Sequence, residues 1–180
     1  MGAVVGWQAN SDASVANAVP LGTLVQLSDS VVVATVTGVS CHYETIGDKR
    51  RMVTDTTLQV DHSVSGNATA SGEVITVRTL GGTIGDLAQV ILGEAVLAPG
   101  STNLLFLRQG KDGLLHVSAM AQGEYVVAPD QDGQLRLRPS PGLDVVVNPE
   151  KSAVTALAGR TLDQAESLVA ANTGKSRQVP

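Results

Sequence analysis

Short runs of β-branched and aliphatic residues, separated by turns containing glycine and aspartate, dominate residues 31–137 and predict strands. The first run, Val31-Val32-Val33-Ala34-Thr35-Val36-Thr37-Gly38-Val39, is too short for a buried helix, so it predicts a core strand continuing toward Tyr43. Past the polar turn Gly47-Asp48-Lys49-Arg50-Arg51, strand character resumes over residues 52–64. There Leu58, Val60, His62 and Val64 fall on one face and Thr57, Gln59, Asp61 and Ser63 on the other. The two runs predict a hairpin. Residues 73–80 predict a third strand, with Ile75 and Val77 opposite Thr76 and Arg78, stopped by Gly81-Gly82. Four more short strands follow, around Leu104-Leu105-Phe106-Leu107, Leu114-Leu115-His116-Val117, Glu124-Tyr125-Val126-Val127 and Gln134-Leu135-Arg136-Leu137. Turns at Lys111-Asp112-Gly113, Gln122-Gly123 and Asp132-Gly133 divide them.

The flanks have a different period. Leu21, Leu24, Val25 and Leu27 recur at helical spacing behind Pro20 and predict one short helix ending at Ser28-Asp29-Ser30. After Pro139-Ser140-Pro141-Gly142, residues 143–147 predict an edge strand, and Asn148-Pro149 a helix with Asn148 as cap and Pro149 at the first position. Gly159 interrupts that helix. Thr161-Leu162-Asp163-Gln164 then has the pattern of a capping box ahead of a stripe of Leu162, Ala165, Leu168 and Val169, which Asn172-Thr173-Gly174 ends. The expected architecture is mostly β: a small OB-like barrel or sandwich of about seven strands, a short helix before it and a helical segment after it. The expected division is an N-terminal arm over 1–19, the β-barrel domain over 20–147, helical residues 148–174 and a tail over 175–180.

Composition narrows the function classes. The chain has 180 residues, enough for one cored domain, with one Trp, two Tyr and one Phe. So few flat π surfaces argue against stacking of single-stranded nucleic acid, and a net charge of −5 argues against phosphate backbones. No apolar run reaches the length of a transmembrane helix, and residues 1–19 lack both the basic start and the apolar centre of a signal peptide. Cys41 is the single cysteine and leaves the redox compartment open.

No catalytic, cofactor or metal set is expected. Cys41 and His42 are adjacent in a strand and point to opposite faces, His62 sits in an apolar setting as a satisfied core or barrel-end residue, and His116, beside Val117 in a short strand, is read as having no acidic partner close in sequence. A zinc site would need the fold to bring these histidines together. No serine lies in a nucleophile elbow. Gly81-Gly82-Thr83-Ile84-Gly85 lacks phosphate-loop spacing, Asp130-Gln131-Asp132-Gly133 lacks the distal Glu of a calcium loop, and both read as turns. Asn67-Ala68-Thr69 fits a glycosylation acceptor. Two segments suggest binding to protein instead. The long connection 83–99 carries apolar residues expected to fold over the barrel mouth, with Gly82, Ile84, Leu87, Val90 and Ile91 as the candidate contact residues. The arm offers Val4, Val5 and Trp7 for docking on another subunit, by addition to its sheet edge.

The order of motifs also resembles a known group. Ser28-Asp29-Ser30-Val31-Val32-Val33-Ala34-Thr35-Val36, Thr56-Thr57-Leu58-Gln59-Val60, Val77-Arg78-Thr79-Leu80-Gly81-Gly82, Leu92-Gly93-Glu94-Ala95 and Ala121-Gln122-Gly123-Glu124-Tyr125-Val126-Val127 are similar to uncharacterised exported bacterial proteins of the myxobacterial type. The resemblance covers roughly residues 20–138. Such proteins are similar in outline to the OB-like barrel of tissue inhibitors of metalloproteinases. This implies a non-enzymatic extracytoplasmic protein-binding module, a partner or regulator of a secreted protease. The N-terminal cysteine by which those inhibitors reach zinc has no counterpart at Met1-Gly2-Ala3. The alternatives are a structural subunit of a surface assembly or filament that uses the arm, and a small metal-dependent enzyme.

Overall fold

In the computed structural model, which describes residues 15–66, 70–143 and 145–175, the unbroken apolar runs are explained by burial on both faces of two adjacent strands. In β2 (Ser30–Ile46), Val31 and Val33 point into one core while Val32, Ala34 and Val36 point into another. Its neighbour β7 (Thr102–Gln109) does the same, with Leu104 and Phe106 on one side and Leu105 and Leu107 on the other. A strand covered on both faces has no reason to alternate, which is why these runs are continuous.

The inner core is enclosed by a ring. Antiparallel pairing joins β2 to β7 and to β3 (Lys49–Gly66), and β3 to β4 (Val74–Leu80); β7 also pairs with β8 (Leu115–Val117). The ring closes where β8 runs parallel to β4 through a single registered pair, Val77 with Leu115. Two further strands, β9 (Glu124–Pro129) and β10 (Leu135–Pro139), extend the sheet outward from β7. The chain is thus mostly β, a seven-stranded sheet with ring-like bonding. Closing the ring removes the edges that an open sheet of these strands would expose.

The outer core lies between the far side of that sheet and the helices. Leu21, Leu24 and Val25 of α1 (Leu21–Gln26), Ala153 and Leu157 of α2 (Ala153–Leu157), and Ala165 and Val169 of α3 (Leu162–Lys175) pack on Val31, Val33, Leu104, Phe106, Tyr125 and Leu137. Phe106 and Tyr125 meet edge to face, with centroids 6.2 Å apart. At the start of α3 the capping box forms: Gln164 N–H donates to Thr161 Oγ1 and Thr161 N–H to Gln164 Oε1. The helix then runs on through Asn172-Thr173-Gly174, where those residues were expected to stop it. The cap of α2 also differs from expectation. Asn148 takes a left-handed conformation (φ 54°) ahead of a 3-10 turn at Pro149–Lys151, and Ser152 caps the helix by accepting from Thr155 N–H.

Beyond the ring, β2 and β3 continue as a long hairpin. Among the described residues β7 accompanies β2 only over Ser30–Thr35, so the stretch from Thr37 to Ile46 pairs with β3 alone and its other edge is open. Gly47, with φ 65°, takes the first position of the two-residue turn that joins the strands. Arg50 stacks over the Tyr43 ring at 4.0 Å near that tip. Register shifts interrupt the β2–β3 pairing, and one of them changes an expected face: Ala34 pairs with Val60 but Val33 with His62. Asp61 is the extra residue, and it sends His62 away from the inner side that Leu58 and Val60 share.

The connection after β4 contains a small hairpin absent from the sequence reading, β5 (Gly82–Ile84) with β6 (Leu87–Gln89). Farther along, Ala95 and Leu97 are buried in the inner core. The run at residues 143–147 forms β11 (Val145–Val147), which pairs in parallel with β1 (Val15–Asn17) and not with the barrel sheet. Val4, Val5 and Trp7 lie outside the described residues, as does the acceptor sequence at residues 67–69. No helix among the described residues is long and apolar enough to cross a membrane.

Candidate functional site

Where the long hairpin leaves the ring, its inner face and the connection after β4 enclose a groove of about 720 Å³, within the usual size range of ligand sites. Val39 and Cys41 of β2, Thr54 and Thr56 of β3 and Thr79 of β4 line one side. Residues 88–97 form the opposite wall, with Pro141, Gly142 and Leu143 beside it. Along this lining Val39, Leu80, Val90, Leu92 and Val96 are exposed apolar side chains, Val90 at 79%. Among the described residues Glu94 is the one charged residue of the lining; its two oxygens accept from the backbone N–H groups of Leu80 and Ala95.

Glycine is required at the hinge between β4 and the β5–β6 hairpin. Gly82 has φ 132°, and a Cβ there would stand 2.3 Å from Thr54 Oγ1 and 2.5 Å from Cys41 Sγ. The backbone of this turn is held to the hairpin by Thr54, whose hydroxyl donates to Gly81 O at 2.7 Å, and by Gly81 N–H donating to Met52 O. Gln89 fastens the far strand of the small hairpin by accepting from Met52 N–H at 3.0 Å.

A buried acid ties the wall at residues 88–97 to the segment 140–142 beside it. Glu124, fully enclosed at the start of β9, accepts from Val96 N–H at 2.7 Å and from the Ser140 hydroxyl at 2.5 Å, both on Oε2. Ser140 Oγ in turn accepts from Gly142 N–H. Oε1 is buried with no hydrogen-bond partner among the described residues. Burial pushes the Glu124 carboxyl up to about 7, against the two donors, with the Glu94 charge adding to the rise. The same two segments pack tightly just outside this network, where a Cβ on Gly142 would meet Glu94 O at 1.9 Å.

The candidate contact residues fall in different places. Gly82, Val90 and Ile91 line the groove, whereas Ile84 and Leu87 pair with each other at the tip of the small hairpin, outside that lining. Cys41 faces the groove and His42 the opposite side of β2, next to Glu44 at 3.8 Å and Asp55 at 4.0 Å. His62 bonds to Glu166 of α3 at 2.7 Å, on the helix side of the sheet, not in the core. His116 bonds to Asp112, four residues earlier, an acidic neighbour that the strand-by-strand reading overlooked because it sits in the preceding turn. Each histidine has its own acid, and among the described residues no three His, Cys, Asp or Glu side chains are grouped to hold a metal ion.

On the outer face of the hairpin Arg78 forms a fork to Asp55, Nε to Oδ1 and Nη2 to Oδ2 at 2.7 Å each, and also bonds to Glu44. The Arg78 hydrogen bonds hold the Asp55 carboxyl below its usual value. This stability is present above the unfolded-state value of 3.8 and is lost as pH falls through the lower folded-state value. Arg78→Ala is expected to cost about 1–2 kcal/mol at neutral pH, between an exposed and a buried ion pair. Urea denaturation at neutral pH and again below pH 3.8 checks this, since the difference should shrink as Asp55 protonates.

No family model matches the chain, and no curated protein or solved structure matches it.

Proposed function

We propose that the protein is a non-catalytic binding module whose groove receives an extended, uncharged segment of another polypeptide. The observation that carries this reading is the edge of β2 from Thr37 to Ile46, open among the described residues, whose Val39 and Cys41 also line the groove. An open edge offers main-chain hydrogen bonds to an added strand, and apolar side chains next to it supply selectivity. Among the described residues the lining has no cation, and its one carboxylate there is already taken up by two amides, so charged small molecules are poorly matched.

The ring order β7-β2-β3-β4-β8, with its one parallel seam, supports an OB-like barrel. OB-folds characteristically bind on the face of their second and third strands. The equivalents here are β3 and β4, which contribute Thr54, Thr56 and Thr79 to the groove. The resemblance to exported bacterial proteins supports a place outside the cytoplasm and a secreted protein, a protease among the candidates, as the source of the bound segment.

Panning a random peptide display library on the full chain tests the reading. Selected peptides should be rich in aliphatic and hydroxyl residues and should bind at least tenfold more weakly, about 1.4 kcal/mol, to Val90→Glu. Val90 is so exposed that this change should leave stability within about 0.5 kcal/mol. Peptides that bind parent and variant equally, or no selected peptides at all, would remove the groove as a polypeptide site.

A further inference from the structure

The chain carries a candidate occupant for this groove in its own first residues. Val15 pairs in parallel with Val145, and Leu143, two residues before Val145, is part of the groove wall. A chain that kept this parallel register ahead of Val15 would run alongside residues 141–143, toward the groove. The strand is fixed in that place by Gln122, whose side chain donates to Asn17 O and accepts from Val19 N–H. The neighbouring Ala121 N–H bonds to Gly93 O, so the same turn that anchors β1 also anchors the opposite wall.

The chemistry of the leading residues fits the lining. Residues 1–14 contain one charged side chain, Asp12, and carry Ala3-Val4-Val5-Gly6-Trp7. Fourteen residues reach up to ~46 Å when extended, at ~3.3 Å per residue, whereas the open stretch of β2 from Thr37 to Ile46 needs only ~33 Å. Tethered so close, the segment is present at an effective concentration on the order of millimolar, which favours its own groove over that of a second molecule.

We infer that residues 1–14 lie in the groove of the same chain when no partner is bound, led by Val4, Val5 and Trp7, and that a partner binds by displacing them. This rests on the groove being a polypeptide site. It makes the segment an internal competitor, so that removing it raises affinity for any other occupant.

Cys41 and Trp7, each the single residue of its type, provide the readouts. The rate at which an aromatic disulfide reagent labels Cys41 should be at least tenfold lower in the full chain than in a version lacking residues 1–14. A synthetic peptide of residues 1–14 should restore protection to the truncated protein. Trp7 emission in the native full chain should be blue-shifted from that of the free peptide. Val4→Glu with Trp7→Ser in the full chain should unmask Cys41 without shortening the chain. Protection must be independent of protein concentration. If it rises with concentration alongside a dimer mass in light scattering, the occupant is a second copy and the inference falls. Equal labelling of full and truncated chains also overturns it. A display-selected peptide that still protects Cys41 would then leave the groove reading standing, whereas no protection by any peptide would take down both.

Discussion

Glu124→Gln is expected to remove a pH dependence from folding stability and to make the protein more stable than its parent at alkaline pH. In the folded chain burial raises the carboxyl to about 7 from an ordinary value of 4.5. Between those values the folded state holds a proton that the unfolded state has released, so stability falls as pH rises. The contribution is fully present below 4.5 and lost once pH passes about 7, a difference of about 3 kcal/mol. Glutamine keeps the size and one acceptor for Val96 N–H and the Ser140 hydroxyl while carrying no charge. Urea denaturation at about pH 5 and about pH 8 should show the parent weaker at the higher pH and the variant level. The other resolved carboxyl shifts, at Asp55, Asp112 and Asp130, are downward and act below 3.8, outside this window. A parent equally stable at both pH values would mean that Glu124 stays ionised throughout.

The second large effect is expected from Gly142→Ala. The added methyl would stand 1.9 Å from Glu94 O and 3.0 Å from Val96 Cγ2, and the nearer of these is backbone, which has no rotamer to escape into. Residues 141–143 must move off the wall that carries Glu94 and Val96. That movement loosens the Gly142 bond to Ser140 and, through it, the donor to Glu124. Overpacking of this kind costs about 1–3 kcal/mol. The same displacement widens the groove, so a display-selected peptide should lose at least tenfold in affinity. Urea denaturation and peptide titration read the two effects separately. Gly133→Ala is the control for an added methyl as such, since nothing lies within 4 Å of its Cβ position, although its φ of 77° still carries some strain.

Strands were legible from the sequence wherever burial was strong. Val31-Val32-Val33-Ala34 and Leu104-Leu105-Phe106-Leu107 announce themselves because both faces of β2 and β7 are covered, and Ile75 and Val77 because the inner core takes alternate residues of β4. Faces were less legible than strands, since one bulge at Asp61 reverses the phase of His62 and leaves no mark in composition. The β5–β6 hairpin has three-residue strands with little burial, too short to set up a period. Of the groove, Gly82, Val90 and Ile91 were visible as part of an apolar connection. Cys41, Thr54, Thr56 and Thr79 were hidden because they read as ordinary strand residues. Glu124 was overlooked although it carried a signal, an acid opening the strongly apolar run Tyr125-Val126-Val127. Pro141-Gly142 read only as a terminator, because the chain's return to the groove wall is a tertiary event.

The seam between β4 and β8 bears on how the barrel breathes. One registered pair joins those strands, whereas β8 is held to β7 by three, so thermal opening is expected to part β4 from β8 and to leave β8 attached to β7. Such an opening would expose Ile75 and Val77 of the inner core. Amide protons of β4 are therefore expected to exchange with water ahead of those of β2, whose first residues are flanked by strands on both sides, as hydrogen exchange followed by NMR would read. Because Thr79 and Leu80 of β4 also line the groove, the same opening loosens one of its sides. A ligand that spans from β4 to the opposite wall would slow that exchange without touching β8 at all.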